Sequence, residues 1–224
     1  YYFPPGNYYF NPIYFLTANN SDITVFLEGV SSNFNSYNYK NTSIIYTNLQ
    51  DFMYDKRTTS SSITFYVKNL KFISKILFDY IPTGVCFGRE TSKGNEYNFH
   101  FTSVHIHGFE YGFKSPGYSC GSSGGEFNSF AHCKYGIYIK DASHLFNLQK
   151  SEFIYCVNGI RFGYGGSPCE ISDIHIAIGY LGPDKNDISD YKIIHCKGNV
   201  IIKNLYYEAY ENSANPEKTT IIDY

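Results

Sequence analysis

A strand-and-turn phrase recurs about once every two dozen residues, and no other feature of the chain limits its fold so strongly. Residues 130–139 read Phe-Ala-His-Cys-Lys-Tyr-Gly-Ile-Tyr-Ile, and residues 153–162 read Phe-Ile-Tyr-Cys-Val-Asn-Gly-Ile-Arg-Phe. The offset is 23, from Cys133 to Cys156 and from Gly136 to Gly159. An earlier copy places Gly112 24 residues before Gly136, and a looser copy runs from Ile194 to Ile202. A fixed period of this size predicts stacked coils, each unable to cover its own apolar face but able to cover its neighbour's. In that register Phe130 lies over Phe153, Cys133 over Cys156 and Ile137 over Ile160, as interior columns of a parallel stack.

Composition supports an all-β chain. The aromatic share is 19%, made of 24 Tyr and 19 Phe with no Trp, and such side chains favour strands. Asn, Ser and Gly are abundant, as closely spaced turns require. No stretch has helical periodicity. With a formal charge of −2 and scattered basic residues, the chain lacks the basic patch that tracks phosphates, so no nucleic-acid partner is expected. No apolar run is long enough for a membrane helix, no membrane insertion is expected, and no signal peptide is visible. With no initiating Met and Tyr1 read as part of a strand, the chain is expected to be a fragment. Asn19 and Asn41 open glycosylation sequons, a chance match in a chain this rich in Asn and Ser.

The six cysteines, Cys86, Cys120, Cys133, Cys156, Cys169 and Cys196, lack CxxC pairs and zinc-finger spacing. Strand spacing of about 4.8 Å makes a Cys133–Cys156 disulfide geometrically possible, but a column of buried thiols filling small gaps is the plainer reading. Residues 1–224 read as a single domain. Within it, 31–62 is an irregular loop or insertion with a short strand near Ile44–Tyr46, and polar excursions fall at 88–98, 114–125 and 181–190.

Several segments resemble one family. Phe3-Pro4-Pro5-Gly6-Asn7-Tyr8 is similar to the strand-turn found early in pectate-lyase-like right-handed parallel β-helices, and the stretch from Ser21 to Gly29 is similar to the rung that commonly follows. The phrases ending Tyr135-Gly136-Ile137 and Asn158-Gly159-Ile160, with Leu205–Glu208, resemble later rungs. The resemblance covers the chain to about Glu208. It implies a right-handed single-stranded parallel β-helix, a solenoid lacking its N-terminal cap in this fragment. Bacteriophage tailspikes belong to this superfamily, and the resemblance to them implies a homotrimer in a virion tail that binds, and often cuts, a bacterial surface polysaccharide.

The chemistry is less legible. The Asp-Asp and Gly-His-Gly signatures of the galacturonase-like branch are absent, and no tight acidic cluster suggests calcium; no cofactor or metal is expected. Aligned repeats put His105, Ser129 and Glu152 in one outward column, with His105 and Glu152 two rungs or roughly 9.6 Å apart. Glycoside hydrolysis needs two carboxyl groups across the scissile bond, so Glu152, Asp141 and His105 are the catalytic candidates, with Glu110 and Glu126 near the bends. His107 and His132 read more readily as packed imidazoles. For binding, Tyr111 and Tyr135 sit one rung apart at the same turn, with Tyr138, Tyr155 and Tyr164 nearby and Arg161 beyond the turn. Exposed tyrosines stack on sugars or pack between subunits. Three functions remain open: a phage receptor-binding β-helix for a bacterial glycan, a secreted polysaccharide lyase or glycoside hydrolase, and a structural spacer or cell-surface adhesin without activity.

Overall fold

The computed structural model describes residues 1–16, 22–31, 41–48, 50–58, 61–74, 82–90, 97–116, 123–142, 145–178, 191–209 and 219–223. Among these there is no helix, and every strand pairing is parallel. The first coil holds β1 (Tyr2–Phe3), β2 (Gly6–Phe10) and β3 (Ile13–Phe15), and the second β4 (Ile23–Gly29), β5 (Ser43–Thr47) and β6 (Met53–Asp55). Next come β7 (Ile63–Ser74) with β8 (Val85–Arg89), then β9 (Tyr97–His107) with β10 (Tyr111–Ser115). The fifth coil is β11 (Ser123–Glu126), β12 (Ser129–Ala131) and β13 (Tyr135–Ala142). Above it lie β14 (Phe146–Gln149), β15 (Glu152–Ile154), β16 (Asn158–Ile178), β17 (Tyr191–Ala209) and β18 (Thr219–Asp223).

Three faces result, each a parallel ladder running up the stack. The first contains β1, β4, β11 and β14 with parts of the long strands, the second β2, β5, β12 and β15, and the third β3, β6, β8, β10, β13 and β18. The expected solenoid is present: an all-β parallel β-helix. Phe130 pairs with Phe153 and Ile137 with Ile160, and the two phenyl rings stack at 5.2 Å with planes 9° apart.

Two kinds of bend connect the faces. Between the first and second, one residue in each coil from the third upward takes a left-handed backbone: Asn69, Ser103, Phe127, Lys150, Asp173 and Asn204, with φ between 46° and 56°. Asn and Asp accept this conformation readily, whereas Phe127 and Lys150 do so at a cost of roughly 1–2 kcal/mol each. Beneath the bend, Asn128 accepts from the Val104 amide at 3.0 Å and donates to the Phe101 carbonyl at 3.0 Å, satisfying backbone groups that the turn removes from the ladder. Between the second and third faces, Gly108, His132 and Tyr155 are the left-handed residues of successive coils.

Among the buried polar groups, one corner holds a cluster of opposite charges. There the Asp55 carboxylate accepts from Arg57 Nε at 3.0 Å and Nη2 at 3.1 Å, while Arg89 Nε lies 3.7 Å away. All three side chains are buried. Within 31–62 the short strand expected near Ile44–Tyr46 is present as β5, paired with β2 and β7. The described residues after it are corrected from loop to rung, since β6 pairs with β3 and β8. The segment looked irregular because Thr42, Ser43, Thr47, Asp55 and Arg57 are polar, yet they are buried rather than solvated. The excursions at 88–98 and 114–125 are shorter than expected, since Arg89, Tyr97 and Asn98 on one side and Lys114, Ser115 and Ser123–Glu126 on the other belong to strands. The loop at 181–190 lies outside the described residues.

The five described cysteines, Cys86, Cys133, Cys156, Cys169 and Cys196, are buried free thiols, and Cys120 lies outside the described residues. Burial pushes the Cys156 thiol well above its ordinary value, and its sulfur rests 3.3 Å from the Phe130 carbonyl oxygen. These thiols behave as small interior fillers.

Removing a ring from the stacked pair leaves a void that neighbouring coils cannot close. Phe130→Ala is expected to cost about 3–5 kcal/mol in denaturant unfolding, while exposed Lys140→Ala changes stability by less than about 0.5 kcal/mol.

Candidate functional site

The outward tyrosines of the third face form one cluster. Tyr111 and Tyr135 are register partners in β10 and β13, which stacks their rings at 4.9 Å with planes 8° apart. Tyr138, further along β13, meets both edge-on, at 5.7 Å and 5.8 Å. The register column Lys114, Tyr138, Arg161 runs beside them. Lys114 Nζ sits 4.8 Å from the Tyr111 ring centre and 3.4 Å from the Tyr54 hydroxyl, while the Arg161 guanidinium lies 5.6 Å from the Tyr138 ring centre. Below, Lys56 Nζ stands 3.8 Å over the Tyr14 ring. The tyrosines at 111, 135 and 138 are half-buried and Arg161 is exposed. Burial, helped by Glu110, Tyr135 and Tyr138 against the opposing Arg161, pushes the Tyr111 phenol up to about 12. It therefore remains a neutral hydroxyl at ordinary pH, able to donate as well as accept.

Tyr155 stands at the bend between the second and third faces, where its ring meets His132 at 5.1 Å. Asp141 pairs with Tyr164 in backbone register, but their side chains lie outside the described residues. Glu110 is engaged by Lys134 at 3.3 Å.

On the second face the expected column His105, Ser129, Glu152 is in register, and it continues through His175 and Tyr206. The expectation that its members share one accessible surface is corrected for Ser129, which is fully buried, and for His105. The His105 imidazole is only 5% exposed, packed in a column beside buried Lys71, so it offers no edge to a polymer. Burial first, then Lys71, His107 and His132, hold it well below its ordinary value. Glu152 is partly exposed. Its Oε2 lies 3.7 Å from His175 Nδ1, and His175 Nε2 lies 3.4 Å from Glu208 Oε2. The register expected for Glu152 holds, whereas His175 and Glu208 were not among the expected residues. Glu208 sits opposite Ala177 in the ladder between β16 and β17, where a longer connection breaks the short repeat.

A third feature, on the first face, also escaped the sequence reading. Phe26, Tyr66 and His100 form a stacked column that ends in a cleft at Gly124. Strict alternation in β4 and β7 marked Phe26 and Tyr66 as outward-facing. Connections of unequal length separate them in the chain, and that irregular spacing hid the fact that they stack.

Comparison with protein-family models, with curated proteins and with solved structures gives no match to this chain.

His105, His107 and His132 form a chain of imidazoles, with ring centres 5.9 Å and 4.8 Å apart, beside Lys71. Burial, with His132 and then Lys71, pulls His107 down to about 3, and burial lowers His132 too. The unfolded chain thus binds protons that the folded chain refuses. Stability is full above the ordinary histidine value near 6.5 and is lost as pH falls from there toward 3, at roughly 1.4 kcal/mol per pH unit for each histidine kept neutral. Melting temperature is expected to drop between pH 7 and pH 5, above the range where carboxylates dominate, and His107→Gln should flatten that slope.

Proposed function

We propose that this chain is part of a β-helical receptor-binding protein, of the bacteriophage tailspike type, that recognises a bacterial surface polysaccharide. The observation that carries the reading is the tyrosine and cation platform of the third face. A glycan offers a C–H face and a hydroxyl rim, and a half-buried tyrosine offers the matching apolar ring and polar tip. Lys114 and Arg161 hold the rings in place by cation–π contact and supply donors for sugar oxygens. Because Tyr111 and Tyr135 repeat along the solenoid axis, the platform suits an extended chain lying along that axis. The resemblance of the Phe3–Tyr8 segment and of the later rungs to tailspike-type β-helices supports the same reading. It brings with it a homotrimer exposed on a virion tail, or a secreted or cell-surface location in related proteins. In binding to envelope polysaccharide fractions, the double variant Tyr111→Ala/Tyr135→Ala is expected to lose at least tenfold, about 1.4 kcal/mol, while keeping the unfolding transition of the parent. Absence of binding by the parent to every envelope fraction would overturn the reading.

A second reading, cleavage of the polysaccharide, is favoured by the Glu152–His175–Glu208 arrangement. Two carboxylates flank one imidazole on an accessible face, and glycosidic cleavage calls on one carboxyl as acid and another as base or nucleophile. Under this reading Glu152→Gln and Glu208→Gln each reduce the release of new sugar ends by at least a hundredfold. Unchanged release in both would remove these residues from the chemistry.

A further inference from the structure

On the first face one outward column runs in register through Phe26, Tyr66, His100, Gly124, Asn147 and Glu170. Its lower half is a ladder of rings. Phe26 and Tyr66 stack at 4.8 Å with planes 10° apart, and Tyr66 and His100 at 4.6 Å with planes 12° apart. The spacing is that of the strands themselves, so each coil adds one ring to the pile. At the next coil the column has no side chain at all.

The glycine there is a requirement of the backbone. Gly124 and Gly125 have φ of 143° and 156°, and a Cβ at either would fall 1.7 Å from the Asn147 carbonyl oxygen or 1.8 Å from that of Phe101. No other residue fits the strand at this point. The result is a notch one side chain wide, with His100 as one wall and Asn147 as the other, two strand spacings or roughly 9.6 Å apart. A cleft of ≈350 Å³ opens here, lined also by Thr102, Glu126 and Gln149.

The walls define what fits. A ring placed over Gly124 would continue the pile at its own period, with one face on the imidazole. Burial lowers His100 below its ordinary value, so that face is uncharged near neutral pH. Around the rim are hydrogen-bonding groups in both senses. Gln149 Nε2 donates to Asn147 Oδ1 at 2.9 Å, which leaves the Asn147 amide as donor and the Gln149 oxygen as acceptor. The Glu126 carboxylate accepts, and Thr102 does both. One flat apolar face with a rim of mixed donors and acceptors matches a pyranose, whose C–H face is apolar and whose hydroxyls radiate sideways. The Glu126 carboxylate disfavours a negatively charged ring by like-charge repulsion.

We propose that the Gly124 notch binds a single neutral pyranose, stacked on His100 with its hydroxyls held by Asn147, Gln149 and Glu126. The proposal rests on the glycan-binding reading above but uses a different face of the solenoid, so the two can fail separately. The test follows the histidine ring signals by NMR, with His100 assigned by its loss in His100→Ala. The probes are the methyl pyranosides of glucose, galactose, mannose and N-acetylglucosamine, with methyl glucuronide as the charged comparison. At least one neutral probe is expected to shift the His100 signals saturably, with a dissociation constant on the order of millimolar for so small a ligand. His100→Ala and Asn147→Ala should each weaken that binding at least tenfold, as read by saturation-transfer NMR on the probe, and methyl glucuronide should bind at least tenfold more weakly. Unmoved His100 signals with all four neutral probes, or equal binding by His100→Ala, would overturn the proposal. Polymer retained by the parent while His100 stays unmoved would sink the notch alone. Probe binding at His100 without retention of any envelope polymer would sink the wider glycan reading alone.

Discussion

Everything in this molecule depends on the in-register stacking of one parallel coil on the next. A strand in a single coil has its ladder groups unpaired and its apolar side chains open to water. Superposition satisfies both at once: each ladder hydrogen bond brings an interior residue over its equivalent. The Phe130–Phe153 stack and the Ile137–Ile160–Ile194 column follow from that one operation. So do the outward ladders, because a fixed register aligns exposed side chains as strictly as buried ones. The surface chemistry is therefore a by-product of core packing, organised into columns at the strand spacing.

Those columns differ from face to face. The third face carries tyrosines with cations on their rings, a surface that attracts apolar faces and polar rims together. The second passes through buried Ile44, Lys71, His105 and Ser129 before it reaches the partly exposed Glu152 and His175, with Glu208 against His175. The first carries a ring ladder cut short by a glycine. The three ridges are therefore chemically distinct although one backbone register builds them all.

Much of the architecture was legible where the period is short. Between Ile106 and Phe162 the nearly constant repeat exposes the register directly, and the pairs Ser129 with Glu152 and Tyr111 with Tyr135 could be read without coordinates. Elsewhere the connections lengthen by unequal amounts, so equivalent positions drift apart in the chain and no fixed period survives. The Phe26–Tyr66–His100 ladder and the Glu208 neighbour of His175 were lost for that reason. Polarity misled in a different way at Asp55 and Arg57. A run of Ser, Asn and charged residues resembles a solvated loop until a buried ion pair satisfies it.

Amino-acid order alone determined that the chain is a parallel solenoid and, between Ile106 and Phe162, which side chains stack in its core, because there burial repeats with the coil and the repeat is written in the residues. Only the tertiary structure decided which outward positions are accessible. The same column holds His105 buried and Glu152 partly exposed, and alternation of strand residues cannot separate the two. It also decided where the aromatic pile on the first face stops. The close approach of the Asn147 and Phe101 carbonyls, contributed by other coils, forbids any side chain at Gly124 and Gly125.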